Sequence, residues 1–195
     1  MANVKLFREK SSAKTTQGYA KVPHLFAQLT QPDDVPYLLV PRVSSERRKY
    51  IPIGYMPADV ISSDAVQIIP NASLFHFGVM TSCVHMAWMR VVCGRLKSDY
   101  RYSKELVYNC FPWCQPTAEQ KTRIETTAQA ILDVRAKYPD TPFSVLYDET
   151  AMPTDLRKAH VENDRAVMRA YGLPATTSES DIVAHLFKLY EELTK

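Results

Sequence analysis

The sequence predicts an α+β protein: a small, irregular β-rich domain with one long buried helix over residues 1–112, then a helical domain over residues 113–195. Three observations carry this. Short β-branched and aromatic runs broken by proline crowd the first part. An apolar stretch, SLFHFGVMTSCVHMAWMRVVCG (73–94), follows them. Three amphipathic patterns with helix-capping signals fill the remainder.

Taken in order, PYLLVPRV (36–43), KYIPIGYM (49–56) and DAVQIIP (64–70) are the strand runs, and Pro41, Pro52 and Pro57 confine them to edges or bent strands. Between the first two lies SSERRK (44–49), a polar loop with three consecutive cations. Asn71 or Ser73 caps the long helix, which runs to Cys93 and stops at Gly94. Its polar residues Thr81, Ser82 and His85 share a narrow strip, while Leu74, Phe77, Met80, Val84, Val91 and Val92 cover most of the rest. Around FPWCQP (111–116) the character changes. Thr117 and Gln120 form a capping box that opens a helix with Ile124, Ala128, Ile131 and Tyr138 on one stripe. The next begins near Pro153 and ends at Gly172, and the last runs from a Ser178 to Asp181 cap through Ile182, Leu186, Leu189 and Leu193.

A chain of 195 residues that is 46% hydrophobic and 10% aromatic can bury a core. MANVKLFREKSSAK has no apolar run behind its basic residues, and VPHLFAQL is short and interrupted by His24, so no signal peptide is expected and the protein reads as cytoplasmic. His76, His85 and Arg90 argue that the 73–94 stretch is buried in protein, with no membrane partner. The net charge of +3 is uneven. Residues 1–115 hold 14 Lys/Arg against 8 Asp/Glu, and residues 116–195 hold 10 against 13. The first part is therefore the one suited to a polyanion.

Catalytic motifs are missing. Methyl transfer from S-adenosylmethionine requires a glycine-rich turn after a strand, yet the five glycines stand apart at 18, 54, 78, 94 and 172. Glu119-Gln120-Lys121 has the letters of a nuclease centre but falls in the first turn of a helix, away from Pro32-Asp33 and Pro139-Asp140. Cys110 and Cys114 lack a second ligand pair at zinc-site spacing, and with Cys83 and Cys93 they read as reduced thiols. A hydrolase using either thiol would need a base that spacing does not supply. His160 and Asp164, one turn apart, fit a hydrogen-bonding pair on a helix surface better than a metal site. No catalytic residue and no metal site is expected in this chain.

What remains is nucleic-acid chemistry. Ser45, Glu46, Arg47, Arg48 and Lys49 form one polar segment, and GRLKSDYRYSK adds Arg95, Lys97, Arg101 and Lys104 interleaved with Tyr100 and Tyr102. Arginine can grip a guanine edge, glutamate accept from a cytosine amine, and lysine neutralise phosphate. On composition alone a solvated basic loop fits these residues equally well.

Residues 36–172 resemble the C-terminal part of the large single-chain DNA methyltransferases of the MmeI-like restriction-modification family. The resemblance rests on VPRVSSERRKYIPIGYM (40–56), SDAVQIIPNASLFHFGVMTSCVHMAWMRVVCGRLKSDYRYSKELVYNCFPW (63–113), AQAILDVRAKYPDTPFSVLYD (128–148) and MPTDLRKAHVENDRAVMRAYG (152–172). It implies a target recognition domain followed by a C-terminal helical region, with the nuclease and the adenine-methylating domain lying outside this chain. The partners it implies are double-stranded DNA and the methyltransferase domain of the parent enzyme. S-adenosylmethionine is then the parent's cofactor, with none held by this chain. Bases would be read by the SSERRK loop and the strip of Thr81, Ser82 and His85, and phosphates held by Lys97, Arg101, Lys104 and neighbours. Where such relatives carry Tyr-Asn-Asn-Phe-Pro-Trp-Pro, this chain has YNCFPWC, so Cys110 and Cys114 depart from the pattern. A second expectation, from another class, is that the acidic helical part docks on the methyltransferase domain as a protein-interaction module.

Overall fold

Proline decides how the first β-rich run is used. Pro41 closes strand β1 (Tyr37–Pro41), and after Arg42 the chain resumes as β2 (Val43–Ser44) in a different sheet. One antiparallel sheet has the order β3-β1-β4, with β3 at Gly54–Met56 and β4 at Val66–Pro70. The other has the order β2-β6-β5, with β5 at Gly94–Leu96 and β6 at Asp99–Arg101. The run expected to lie at an edge thus supplies the central strand of the first sheet, because its proline sits at the last paired position, opposite Val66. Pro52 has the anticipated effect, keeping the buried residues 51–53 out of either ladder.

The computed structural model describes residues 1–25 and 34–195 and divides the chain into two units, Met1–Gln31 and Pro32–Lys195. The Pro32-Asp33 pair and the end of the VPHLFAQL cluster lie outside the described residues. In the first unit, Arg8 of helix α1 (Ala2–Glu9) ties it to the segment that follows helix α2 (Lys14–Gly18), its guanidinium donating to the carbonyls of Tyr19, Val22 and Leu25, each at 3.0 Å.

In the second unit the stretch 73–94 makes two helices where one was expected, α3 (Leu74–Met80) and α4 (Cys83–Val92). Ser73 caps α3, and the His76 ring reaches back to the Ser73 N–H at 3.1 Å. The break falls at Ser82, whose extended backbone restarts the helix while its hydroxyl accepts from the His85 N–H. The Asp164 carboxylate also accepts the Cys83 N–H at 2.7 Å, so α4 begins on a buried anion at its positive end.

Beyond residue 113 the helices are α5 (Ala118–Arg135), α6 (Phe143–Leu146), α7 (Thr154–Ala170) and α8 (Glu179–Thr194). Thr117 and Gln120 form both bonds of the expected capping box, at 2.9 and 3.2 Å. Helix α5 packs on α7 and α3, and α8 packs on α4. Ile124, Ala128 and Ile131 face inward as their spacing predicts. Gly78 permits the α3–α5 approach, since a Cβ there would lie 2.6 Å from the Ile124 side chain. One hydrophobic core runs from Leu38 to Leu186 and crosses the expected 112/113 boundary. At the crossing, the Tyr171 hydroxyl donates to Pro112 O at 3.0 Å and accepts from the Cys114 N–H at 3.2 Å, tying FPWC to the end of α7.

Candidate nucleic-acid interface

Two basic segments that are fifty residues apart in sequence meet in space. Strand β2 pairs with β6 in the register Val43↔Arg101 and Ser44↔Tyr100, and β5 pairs with β6 through Gly94↔Arg101 and Arg95↔Tyr100. The SSERRK loop leaves directly from β2, so its cations stand beside the β5–β6 hairpin. Alternation sorts the hairpin's side chains: Val43, Leu96 and Arg101 face outward, while Ser44 and Tyr100 face inward and are buried.

The loop and hairpin are pinned together by polar contacts. The Glu46 N–H donates to Asp99 at 3.4 Å, and Arg95 lies 4.0 Å from the Glu46 carboxylate while its guanidinium covers the Tyr100 ring at 4.2 Å. The half-buried Arg48 donates to the Ser44 hydroxyl at 3.3 Å, and Ser45 O accepts the Arg48 N–H at 3.2 Å. Arg47, Lys97 and Arg101 are exposed, and among the described residues their side chains make no hydrogen bond or ion pair. Lys97 holds a left-handed backbone, φ 58°, at the first position of the two-residue hairpin turn. Lys104, 3.8 Å from Glu105, opens a π-helical turn at Lys104–Tyr108 beyond the hairpin.

Five expected DNA contacts are relocated by the structure. Thr81, Ser82 and His85 have no exposed surface. The Thr81 hydroxyl donates to Phe77 O at 2.8 Å, Ser82 donates to Val79 O at 2.6 Å, and the His85 ring sits 3.0 Å from the Tyr102 hydroxyl and edge-on to Phe111. Thr81 and Ser82 are buried because the α3–α4 junction packs against α7, whereas His85 is covered by Tyr102 and Phe111 of its own domain. Complete burial also pushes the His85 pKa down to about 3, so the ring is neutral. Tyr100 and Tyr102 are likewise core residues, 7% and 3% exposed, with no free face for a base.

His160 and Asp164 are corrected too, from a surface pair to buried anchors, 0% and 8% exposed. Asp164 accepts the Tyr50 hydroxyl at 2.7 Å, and burial raises its pKa above the usual carboxylate range. His160 stacks on Tyr50 with ring centroids 4.3 Å apart, and its Nε2 lies 2.8 Å from the Tyr147 hydroxyl. Burial, reinforced by the Arg135 charge, holds its pKa well below the ordinary value.

Gln67, Ile69, Tyr108 and Asn109, which spacing did not suggest, line with Tyr102 and Lys104 a groove of about 360 Å³ between β4 and residues 102–109. Gln67 lies on β4 and Asn109 just after the π-helical turn, so tertiary packing brings them to one groove.

Neither sheet suits S-adenosylmethionine. Both are antiparallel, and among the described residues no strand leads through a glycine-rich turn into a helix. No cluster of three or more His, Cys, Asp or Glu is assembled among the described residues. The Cys110 thiol donates to Glu105 O at 3.2 Å, and burial pushes the Cys114 thiol up to about 11. No described helix is long and apolar enough to cross a membrane.

A cationic loop and hairpin carried on a small β-rich domain, and fused through one core to a helical domain, define an α+β binding module. The chain belongs to the MmeI target recognition domain family: the model described as MmeI, target recognition domain, matches residues 1–115, and that described as MmeI, C-terminal domain, matches residues 116–195. It is 39% identical over 188 residues to DNA methyltransferase A of Bacillus subtilis (strain 168), a match covering 96% of this chain and 21% of that protein. It is also similar to the type IIL restriction-modification enzyme MmeI solved in complex with DNA, at 47% identity and a TM-score of 0.90 over 99% of this chain and 26% of that one. The chain thus spans about a fifth to a quarter of the length of these relatives.

Proposed function

We propose that this chain reads the DNA sequence on behalf of an adenine-specific restriction-modification methyltransferase in the cytoplasm. The observation that carries the reading is the union of the SSERRK loop and the β5–β6 hairpin, which leaves the side chains of Arg47, Lys97 and Arg101 exposed and without a hydrogen bond or ion pair among the described residues. Arg47, Arg48 and Glu46 meet base edges, with Glu46 held by Arg95. Lys97, Arg101 and Lys104 meet phosphates. The methyltransferase domain of the parent enzyme is the module's protein partner, and S-adenosylmethionine is bound there. The helical domain docks on it through surface left over from its own core, where Phe187 and Leu193 of α8 stay 42% and 64% exposed.

Arg47→Ala and Arg48→Ala test the base-reading assignment by equilibrium binding to a duplex library at several salt concentrations. Loss of a base contact lowers discrimination at one position of the site by about 1–3 kcal/mol. Loss of a phosphate contact instead weakens all duplexes alike and makes the salt dependence shallower by about one unit of slope. Unchanged binding in both variants rejects the loop.

Lys97→Gly separates charge from backbone. Glycine accepts the left-handed turn without strain, so the variant should be as stable as the parent chain or about 1 kcal/mol more so. Its duplex affinity should nevertheless fall evenly over all sequences, with a shallower salt dependence. Thermal melting and anisotropy read the two effects, and unaltered affinity removes Lys97 from the interface.

A further inference from the structure

The base-reading loop is anchored at one end by the helical domain. Its first end is fixed by Ser44 in the β2–β6 ladder. Its other end is held at three successive residues. The Lys49 carbonyl accepts Arg90 Nη2 at 2.6 Å, the Tyr50 hydroxyl donates to Asp164 at 2.7 Å while its ring lies on His160, and the Ile51 N–H meets Met86 Sδ at 3.4 Å. Arg90 is in turn gripped by Glu179, in the first turn of α8, at 3.0 Å.

Asp164, His160 and Glu179 all belong to the part matched by the C-terminal domain, whereas the loop belongs to the target recognition part. Polar bonds, more than packing, fix Lys49, because an open cavity of about 290 Å³ lined by Lys49, Cys83, Asp164, Arg165 and Glu179 lies beside it. We infer that Glu179 and Tyr50, acting with Arg90 and Asp164, are specificity-positioning residues: the helical domain sets where Arg47 and Arg48 stand, without touching DNA. This rests on the loop being the base reader. Arginine recognises a guanine edge only when its planar fork is aimed along it, so freeing one end of the loop costs discrimination while every cation is kept.

Glu179→Gln is the primary test, because Glu179 lies on the surface and its loss leaves the core intact; Tyr50→Phe is the second variant, and Glu162→Gln, elsewhere on α7, is the control. Hydrogen exchange of the full chain reports the anchor with no DNA present, the reporter being the Arg48 amide bonded to Ser45 O. Exchange at residues 45–49 should accelerate in Glu179→Gln and Tyr50→Phe and stay at the wild-type rate in Glu162→Gln. In duplex-library binding, preference for the best site should fall about fivefold or more, with the salt slope unchanged because no phosphate-binding cation is lost. Wild-type exchange at residues 45–49 in both variants overturns the anchor, and faster exchange with full preference overturns its role in specificity. If the wild-type chain shows no preference at all, the base-reading assignment fails and the positioning role with it, while the exchange result still decides the anchor.

Discussion

Replacing Arg135 by methionine should cost about 3 kcal/mol of folding stability, the loss expected when two buried acceptors are left without their donor. Arg135 is 7% exposed and has no carboxylate partner among the described residues. Its Nη1 donates to Ile53 O at 2.7 Å and its Nε to the Tyr147 hydroxyl at 2.7 Å. Its charge rests on the rings of Phe77, Phe143 and Tyr147, with centroids 5.1, 5.0 and 4.9 Å away. Tyr147 passes the network on to His160, and His160 lies against Tyr50. Methionine fills the volume and removes the cost of burying a cation, but Ile53 O and the Tyr147 oxygen lose their donor, and the second effect is the larger. Arg135→Lys should be no better, since an ammonium keeps the charge but lacks the planar fork that reaches both acceptors. Urea unfolding measures both variants. A methionine variant within 1 kcal/mol of the parent chain would show that the cost of burying the guanidinium cancels what its hydrogen bonds and ring contacts return.

The second large effect is on acid stability. His85 is neutral when folded, with a pKa of about 3, and titrates near 6.5 when unfolded. Below pH 6.5 the unfolded chain therefore takes up a proton that the folded chain refuses, and stability drains as the pH falls until the folded pKa is reached. The cost from this residue alone is on the order of 3 kcal/mol at pH 4. His160 acts in the same sense. Asp164 acts in the opposite one, because its raised pKa makes protonation easier in the folded state. His85→Gln keeps a polar atom near the Tyr102 hydroxyl and cannot titrate. The gap between its stability and that of the parent should narrow as the pH is lowered from 7 to 4, or reverse in favour of the variant, with His160 and Asp164 common to both. Parallel curves would show that His85 is protonated at no cost.

Much of the fold was legible because local signals sufficed. The Thr117–Gln120 capping box, the Ser178 cap, the Gly172 stop and the inward stripe of Ile124, Ala128 and Ile131 are decided within a turn or two of chain. The exposed cations of the loop and hairpin were also readable. Charge of that density has no other stable place than the surface.

Thr81, Ser82 and His85 show where such reading fails. A polar strip on an apolar helix looks like an exposed face until α7 closes over the helix break and Tyr102 and Phe111 close over His85. The surface reading of His160 and Asp164 fails for a related reason: at i, i+4 spacing, charged and polar residues suit a solvated surface, and nothing nearby in sequence announces Tyr50 or Cys83 as partners.

The sequence by itself determined that this chain is α+β, that its first part is the basic one, and where the three long helices after residue 116 begin and stop. Tertiary structure alone decided that the SSERRK loop stands beside the β5–β6 hairpin, and that α7 and α8 hold the loop's far end. Helix caps and amphipathic stripes are set by contacts three or four residues apart, whereas strand pairing and buried polar networks join residues fifty to a hundred apart, and only the packed core chooses among the partners they might take.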